Sequence, residues 1–176
     1  MLPELVTARL DLRPATEKDL DILWTLWTDP EVRRFLWDDV SISRERAAET
    51  LRQSLAQSAE GLGLWTVRTR NDGRFVGCAG LLPTGAAVQF QRSLAGTVEP
   101  LITLAPAAWH QGYTTEALER VITYAFTELA LTHLVSVIDV PNEASHRVIK
   151  RLGFRMIGES AGPRYELTSY RLRARD

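Results

Sequence analysis

The stretch Trp109-His110-Gln111-Gly112-Tyr113-Thr114-Thr115-Glu116 lies between an apolar run, residues 101–104, and a segment of helical periodicity, residues 117–129. This order predicts a strand that leads through a glycine-containing turn into a helix. The first N–H groups of a helix have no partner within it, and the helix dipole adds partial positive charge there. Gly112 allows the backbone to take a positive φ or to approach a phosphate closely. The stretch therefore predicts a phosphate site at the start of a helix.

The composition is typical of a globular protein with one domain, residues 1–176. Hydrophobic residues make up 45% of the chain, charged residues 24%, and the net charge is −1. This balance predicts no basic surface for nucleic acid or anionic lipid. The single cysteine, Cys78, excludes an internal disulfide, and with only three histidines it argues against a zinc site. The first residues lack a signal-peptide pattern, and no apolar run reaches the roughly 20 residues of a membrane span. We therefore expect a cytoplasmic protein without a membrane partner, either a monomer or a homodimer.

The order of the periodic segments predicts the fold class. Seven segments have patterns typical of strands: residues 9–14, 64–69, 74–82, 97–104, 133–140, 154–158 and 165–172. Helical spacing predicts helices over residues 17–28, 31–37, 43–60, 117–129 and 142–152, and residues 83–96 are interpreted as a loop. The hairpins are antiparallel, whereas the helix after Leu104 is the crossover that parallel strands require. The expected class is α/β (α+β), a mixed and mostly antiparallel sheet of about seven strands flanked by helices.

Three motifs together resemble those of the GNAT acetyltransferases, most closely the branch that includes the ribosomal-protein N-terminal acetyltransferases, the Rim group. They are Gly112-Tyr113 with Thr115-Glu116-Ala117, Asn142-x-Ala144-Ser145 with Leu152-Gly153-Phe154, and the opening Thr7-Ala8-Arg9-Leu10-Asp11-Leu12-Arg13-Pro14. They are similar to the branch's G-Y-x-T-E-A, N-x-A-S…L-G-F and T-x-R-L-x-L-R-P. The likeness covers the chain from residue 7 to about residue 170. It implies a GNAT-like fold in which the central parallel strands splay apart.

The resemblance also implies the ligand, the co-substrate acetyl-coenzyme A, and no metal. The pyrophosphate would be held by backbone amides of His110, Gln111, Gly112, Tyr113, Thr114 and Thr115. The pantetheine arm would pair with the strand end at Ile102, Thr103 and Leu104, and Asn142 would hydrogen-bond that arm. These assignments suit the chemistry, because a pyrophosphate favours a helix N-terminus and an amide-rich arm favours a strand edge. A purely structural reading of Asn142, as a helix N-cap, is compatible with them.

The chain departs from the family pattern at several positions. The Q/R-x-x-G-x-G/A loop of the family falls on Trp109 to Thr114, so both of its ends differ. Many GNATs carry a tyrosine acid where this chain has Ile149, whereas Ser145 occupies the position of the serine assigned to this role in the Rim-like branch. Ser145 is therefore the candidate that protonates the departing thiolate, or otherwise an ordinary surface serine.

Glu99, thirteen residues before Gly112, is the candidate base that accepts the amine proton. Its alternative role is that of a solvated or paired strand carboxylate. No glutamate clearly matches the one that the Rim-like branch carries between its last two strands. Trp37 is a candidate wall of the acceptor pocket.

These patterns predict an acetyl-CoA-dependent N-acetyltransferase that transfers the acetyl group directly to a primary amine. The acceptor is either a protein N-terminus or a small molecule. The alternative is a non-catalytic module of GNAT fold that binds coenzyme A as a sensor or structural ligand. A third reading is an acyltransferase for longer acyl groups, with Ile102 and Ser145 bounding the acyl pocket.

Overall fold

The computed structural model describes residues 1–174, apart from the side chains of residues 86 and 87. Its strands are β1 (Leu5–Val6), β2 (Leu10–Pro14), β3 (Gly63–Thr69), β4 (Phe75–Pro83), β5 (Val98–Leu104), β6 (His133–Asp139), β7 (Arg155–Ser160) and β8 (Leu167–Arg173). Its α-helices are α1 (Leu20–Thr28), α2 (Pro30–Arg33), α3 (Arg44–Ala56), α4 (Tyr113–Thr127) and α5 (Glu143–Arg151). Alternating apolar residues produce the strands, and helical spacing of apolar residues produces the longer helices.

The strands form two antiparallel sheets that meet at β5 and β6. One sheet has the order β1-β2-β3-β4-β5 and the other has the order β6-β8-β7. The chain returns from β5 to β6 through α4, so the two strands run in the same direction and end at the same edge of the molecule. They lie side by side, but within residues 1–174 they do not pair as strands. The expected fold class, with its splayed central strands, is confirmed.

Two hydrophobic cores cover opposite faces of the sheets. The core on the face of α4 and α5 includes Leu12, Trp65 and Val121, which are fully buried. The core on the face of α1 and α3 includes Leu23 and Cys78. Because successive strand residues point to opposite faces, one sheet can support a helical layer on each side. The gap between β5 and β6 lies between these two layers.

Several element boundaries differ from those expected. The two-residue strand β1 was not predicted, because two residues carry no measurable periodicity. The helix expected over residues 31–37 stops at Arg33, and Trp37, Asp38 and Asp39 all have positive φ, which a right-handed helix cannot accommodate. The expected loop over residues 83–96 contains two short 3₁₀ turns, Ala86–Gln89 and Arg92–Leu94. Helix α4 begins at Tyr113, one turn earlier than expected.

Candidate functional site

The stretch between β5 and α4 has the geometry of an anion site. A 3₁₀ turn, Pro106–Ala108, follows β5, and Gly112 precedes α4 with φ 79° and ψ 0°. The N–H groups of residues 110–115 donate to no oxygen atom within the part of the chain that the structure describes. Free helical N–H groups beside a positive helix terminus are the donors that a phosphate requires. The backbone amides of residues 110–115, which are predicted to hold a pyrophosphate, thus have the geometry of anion donors, and their ligand stays a prediction.

Two side chains of this loop bind the backbone that precedes it. The indole Nε1 of Trp109 donates a 2.8 Å hydrogen bond to the carbonyl oxygen of Leu104, the last residue of β5. The amide Nε2 of Gln111 donates a 2.9 Å hydrogen bond to the carbonyl oxygen of Ala107. Trp109 departs from the family pattern. Its hydrogen bond to Leu104 gives this residue a structural role, because the bond ties the loop to the end of β5. The sequence offered no signal for this, since the acceptors are backbone atoms.

The edge of β5 that faces β6 is available for an extended ligand. Its other edge pairs with β4, with Ile102 opposite Ala79 and Thr103 opposite Cys78. The strand that would normally continue the sheet, β6, does not pair with it within the described residues. An extended, amide-rich chain can add to such an edge as a strand does. The predicted pantetheine contacts at Ile102, Thr103 and Leu104 would use this unpaired edge, and they remain predictions.

Asn142 and Ser145 lie at the start of α5, directly after β6. The side-chain oxygen of Asn142 accepts a hydrogen bond from the backbone N–H of Ser145, with an N···O distance of 3.2 Å. Asn142 is thus an N-cap, as the structural reading proposed, and its amide nitrogen remains available to a ligand. The partly buried Ser145 hydroxyl makes no hydrogen bond with the residues that the structure describes. Their roles toward coenzyme A and the thiolate stay predictions.

Glu99 crosses the gap between the two sheets. Its Oε1 accepts a hydrogen bond from the N–H of Val137 on β6, at 2.7 Å. Burial of the carboxyl raises the pKa of Glu99 to about 7, against the opposing effects of the Val137 N–H and the Ser136 side chain. A carboxyl group with this pKa exchanges a proton near neutral pH. Glu99 is therefore both a paired strand carboxylate and a chemically suitable base.

Trp37 lies in a tight turn beside α1. Its ring makes an edge contact with Trp27, with ring centroids 6.2 Å apart, and the guanidinium carbon of Arg46 lies 5.7 Å from the Trp37 ring centroid. The Trp37 Nε1 is buried and has no hydrogen-bond partner among residues 1–174. A buried indole N–H usually has an acceptor, so a ligand atom could provide one here. The predicted acceptor role of Trp37 is compatible with this geometry.

The segment around Trp37 contacts the loop between β7 and β8, which the sequence did not connect. Arg164 forms an ion pair with Asp39 at 3.1 Å and donates to the carbonyl oxygen of Arg34 at 3.4 Å. At the end of β6, burial and the charge of Asp38 raise the pKa of Asp139, and Arg164 lowers it. These residues come from three distant parts of the chain. They form a charged wall beside the carboxyl end of β6.

His146 and Cys78 have structural positions. His146 bridges Tyr170, 2.8 Å from its Nδ1, and the carbonyl oxygen of Val140, 3.2 Å from its Nε2. Because a carbonyl oxygen only accepts, a neutral His146 ring carries its proton on Nε2, and its Nδ1 then accepts from the Tyr170 hydroxyl. Cys78 is fully buried, and burial raises the pKa of its thiol to about 11. Residues 1–174 contain neither a side-chain cluster that could hold a metal ion nor a helix able to cross a membrane.

Comparisons with known proteins agree with this geometry. The family model described as an acetyltransferase (GNAT) domain matches residues 9–155. The Bacillus subtilis protein named N-acetyltransferase YoaA is 28% identical over 159 residues, which cover 90% of this chain and 86% of YoaA. A GNAT-family acetyltransferase structure from Bordetella pertussis superimposes with a TM-score of 0.84 at 21% identity, covering 98% of this chain and 99% of that chain. A structure of RimL, a ribosomal L7/L12 alpha-N-protein acetyltransferase in complex with coenzyme A, superimposes with a TM-score of 0.77 at 16% identity, covering 97% and 98% of the two chains. At these identities, the structural matches show a shared fold.

Proposed function

The chain belongs to the GNAT acetyltransferase family, and from this premise we propose that it transfers an acetyl group from acetyl-CoA directly to a primary amine. The observation that carries the proposal is the row of free N–H groups at residues 110–115, beside the open edge of β5. The N–H groups suit the pyrophosphate, and the strand edge suits the pantetheine arm. Together they would place the thioester in the gap between β5 and β6.

The amine must lose a proton before it can attack the thioester carbonyl. Glu99 faces this gap, and its pKa of about 7 suits a group that accepts a proton near neutral pH. The amine nitrogen then forms a bond to the carbonyl carbon, and the carbon–sulfur bond breaks. Ser145 is the candidate that donates a hydrogen bond to the departing thiolate, or relays a proton to it through water. In this proposal Glu99 and Ser145 act on opposite ends of the same displacement.

A covalent acetyl-enzyme formed on cysteine does not fit the residues of this chain. Its one cysteine, Cys78, is fully buried, and burial raises the pKa of its thiol. A thiol acts as a nucleophile in its thiolate form, which burial disfavours. Direct transfer needs only that the two substrates meet in one cleft. In this proposal the gap between the sheets is that cleft, and Trp37 lines its acceptor side.

The acceptor is a protein N-terminus or a small amine. The N-terminal reading is supported by the Rim-like motifs and by the fold shared with RimL. The charged wall of Asp39, Asp139 and Arg164 would contact whichever acceptor binds. Because these side chains combine both signs of charge, they suit a polar acceptor near the amine. The proposal therefore leaves both acceptor classes for experiment.

Calorimetric titration with acetyl-CoA, followed by a free-thiol release assay, tests the proposal. The assay pairs acetyl-CoA with small amines and with N-terminal peptides, and butyryl-CoA provides the comparison for a longer acyl group. Binding together with acceptor-dependent thiol release is the expected result. Binding without release for any acceptor would support the non-catalytic coenzyme A module. A folded protein that binds neither acetyl-CoA nor coenzyme A would refute both.

A further inference from the structure

The turn between β1 and β2 contacts the pyrophosphate loop and the first turn of α4. The Nε and Nη2 atoms of Arg9 each lie 2.7 Å from Oε2 of Glu116. The Arg9 backbone N–H and the Thr7 hydroxyl donate to Oε1 of the same carboxylate, at 2.8 and 2.6 Å. Both carboxylate oxygens of Glu116 therefore accept hydrogen bonds from the turn at Thr7 and Arg9, which is more than a hundred residues away in sequence. Charge-assisted hydrogen bonds of this kind are stronger than neutral ones.

The same arginine also holds the loop backbone. Its Nη1 donates to the carbonyl oxygen of Gln111 at 3.0 Å, and its guanidinium carbon lies 4.7 Å from the ring centroid of Tyr113. A Cβ atom placed on Gly112 would lie 3.4 Å from Arg9 Nη2. Arg9 thus touches the loop on both sides of Gly112 and pairs with Glu116 beyond it.

The loop needs such support, because its backbone is strained. His110 has a φ of 60° and Gly112 has a φ of 79°, so Gln111 lies between two left-handed residues. A non-glycine residue in this region costs on the order of 1–3 kcal/mol and persists only where its surroundings hold it in place. The Arg9 contact falls on the carbonyl of Gln111, between the two left-handed residues.

We propose that Arg9 and Glu116 are positioning residues that hold the pyrophosphate loop in its binding conformation before the donor arrives. This inference rests on the proposed function, which assigns the pyrophosphate to residues 110–115. A loop ordered in advance loses less conformational entropy on binding, so the affinity for the donor is higher. The amino-terminal turn is therefore a part of the donor site, although it does not itself supply the phosphate-binding amides.

The Glu116→Gln variant distinguishes a positioning role of Glu116 from a purely electrostatic effect of its charge on coenzyme A binding. Removing a negative charge near the phosphates should strengthen coenzyme A binding if only electrostatic attraction matters. If Glu116 positions the loop, the substitution should weaken binding about tenfold, because small displacements of binding groups have effects of this size or larger. Arg9→Ala should weaken binding at least as much. Arg13→Ala is the matched control, because it also removes the positive charge of a half-exposed arginine. The exposed fraction of the side chain is 58% for Arg13 and 51% for Arg9.

Two acetyl donors distinguish a displaced loop from a generally damaged enzyme. With Glu116→Gln and Arg9→Ala, kcat/KM for acetyl-CoA should fall about tenfold, whereas kcat/KM for S-acetylpantetheine, which lacks the pyrophosphate, should match the wild type. Equal losses with both donors, or no loss with either, would overturn the inference. Thermal unfolding of each variant confirms that it is folded, and the exposed Arg9 provides a second variant if Glu116→Gln does not fold. A wild-type protein that binds no coenzyme A would refute the proposed function, whereas unchanged variants of a binding wild type refute only the positioning role.

Discussion

Glu99 connects the two sheets where strand pairing stops. The carboxylate replaces a missing backbone acceptor, because it receives the Val137 N–H across the gap between β5 and β6. A buried N–H without an acceptor would be destabilising, so this contact stabilises the splayed arrangement. The same burial raises the pKa of the carboxyl group to about 7. Glu99 thus accepts the Val137 N–H between the two sheets, and its pKa suits a group that takes a proton from an amine.

Glu99→Gln tests the role of Glu99 as a base. A glutamine oxygen can still accept from Val137, so the fold should persist, but it cannot accept a proton. We expect the wild-type kcat/KM to rise with pH through about 7 and the variant to lose about 100-fold or more in rate, because general-base catalysis contributes this much. The pH–rate profile of both proteins is the measurement. A variant that retains the same rising limb would exclude Glu99 as its source.

The raised pKa of Glu99 also predicts how stability changes with pH. The folded protein favours the protonated carboxyl more than the unfolded chain does. The associated stability is therefore fully present below the ordinary pKa of glutamate, and it is lost as the pH rises through about 7. Glu99→Gln should remove this dependence. Denaturant unfolding at pH 5 and pH 8 gives the comparison.

Ser145→Ala tests the serine as the group that assists the leaving thiolate. The Asn142 cap accepts the backbone N–H of Ser145 and not its hydroxyl, so the substitution leaves the start of α5 intact. We expect kcat to fall about 100-fold, because proton transfer typically contributes this much or more, with little change in coenzyme A affinity. Steady-state kinetics and calorimetry separate the two quantities. An unchanged kcat would remove Ser145 from the mechanism.

The start of α4 shows how one helix terminus leaves N–H groups free for a ligand. The helix begins at Tyr113 because Gly112, with its positive φ, turns the chain directly into the first helical turn. This places the free N–H groups nearer to β5 than the apolar periodicity alone indicated. Trp109 then anchors the turn to the end of β5 through Leu104. The backbone at the start of α4 thus has N–H groups free for an anion, and side chains such as Trp109 hold this backbone in place.

The Gly112→Val variant tests whether the start of α4 binds the phosphates of coenzyme A. A β-branched residue at a φ of 79° is strained, and we expect the loop to change shape and coenzyme A affinity to fall. Gly73→Val is the matched control, because Gly73 has a φ of 70°, lies in the turn between β3 and β4 and has no neighbour within 4 Å of an added Cβ. Both variants should lose roughly 1–3 kcal/mol of folding stability, but only Gly112→Val should bind coenzyme A more weakly. Equal affinities in the two folded variants would contradict the phosphate assignment.

At the scale of the whole molecule, α4 is joined to the turn that leads into β3, the middle strand of the five-stranded sheet. The hydroxyl of the buried Tyr124 donates to the carbonyl oxygen of Gly61 at 2.9 Å, and its ring makes an edge contact with Trp65, with centroids 5.8 Å apart. Gly61 closes the turn that leads from α3 to β3, with a φ of 77°. This contact links α4, which begins at the candidate site, to the helical layer on the other face.

Tyr124→Phe should lower stability and leave donor binding unchanged. The variant keeps the ring and leaves the Gly61 carbonyl without its donor, which costs about 1–3 kcal/mol. A loss of this size corresponds to a decrease in Tm of several degrees for a chain of this length. Because Tyr124 lies three turns beyond the pyrophosphate loop, coenzyme A affinity should match the wild type. Thermal unfolding and calorimetry are the measurements, and an unchanged Tm would contradict the structural role.

Local patterns in the sequence determined most of the elements and predicted the type of site. Strand periodicity predicted β2 to β8, and the glycine and asparagine motifs predicted where α4 and α5 begin to within one turn. The chemistry of a phosphate site follows from backbone groups within a few residues of Gly112. The family likeness seen in these motifs is confirmed by the match over residues 9–155. Such features are local, so they can be read from neighbouring residues.

Only the tertiary structure decided which distant side chains meet. Arg9 and Glu116 are 107 residues apart, and the sequence contains no local signal that one binds the other. The same holds for the Arg164–Asp39 pair, and for Glu99, whose partner is a backbone N–H on another sheet. The two-sheet division, the missing pairing between β5 and β6 and the turn at Trp37 depend on packing between elements. Sequence periodicity reports which face of an element is buried, whereas contacts between elements depend on how the whole chain packs.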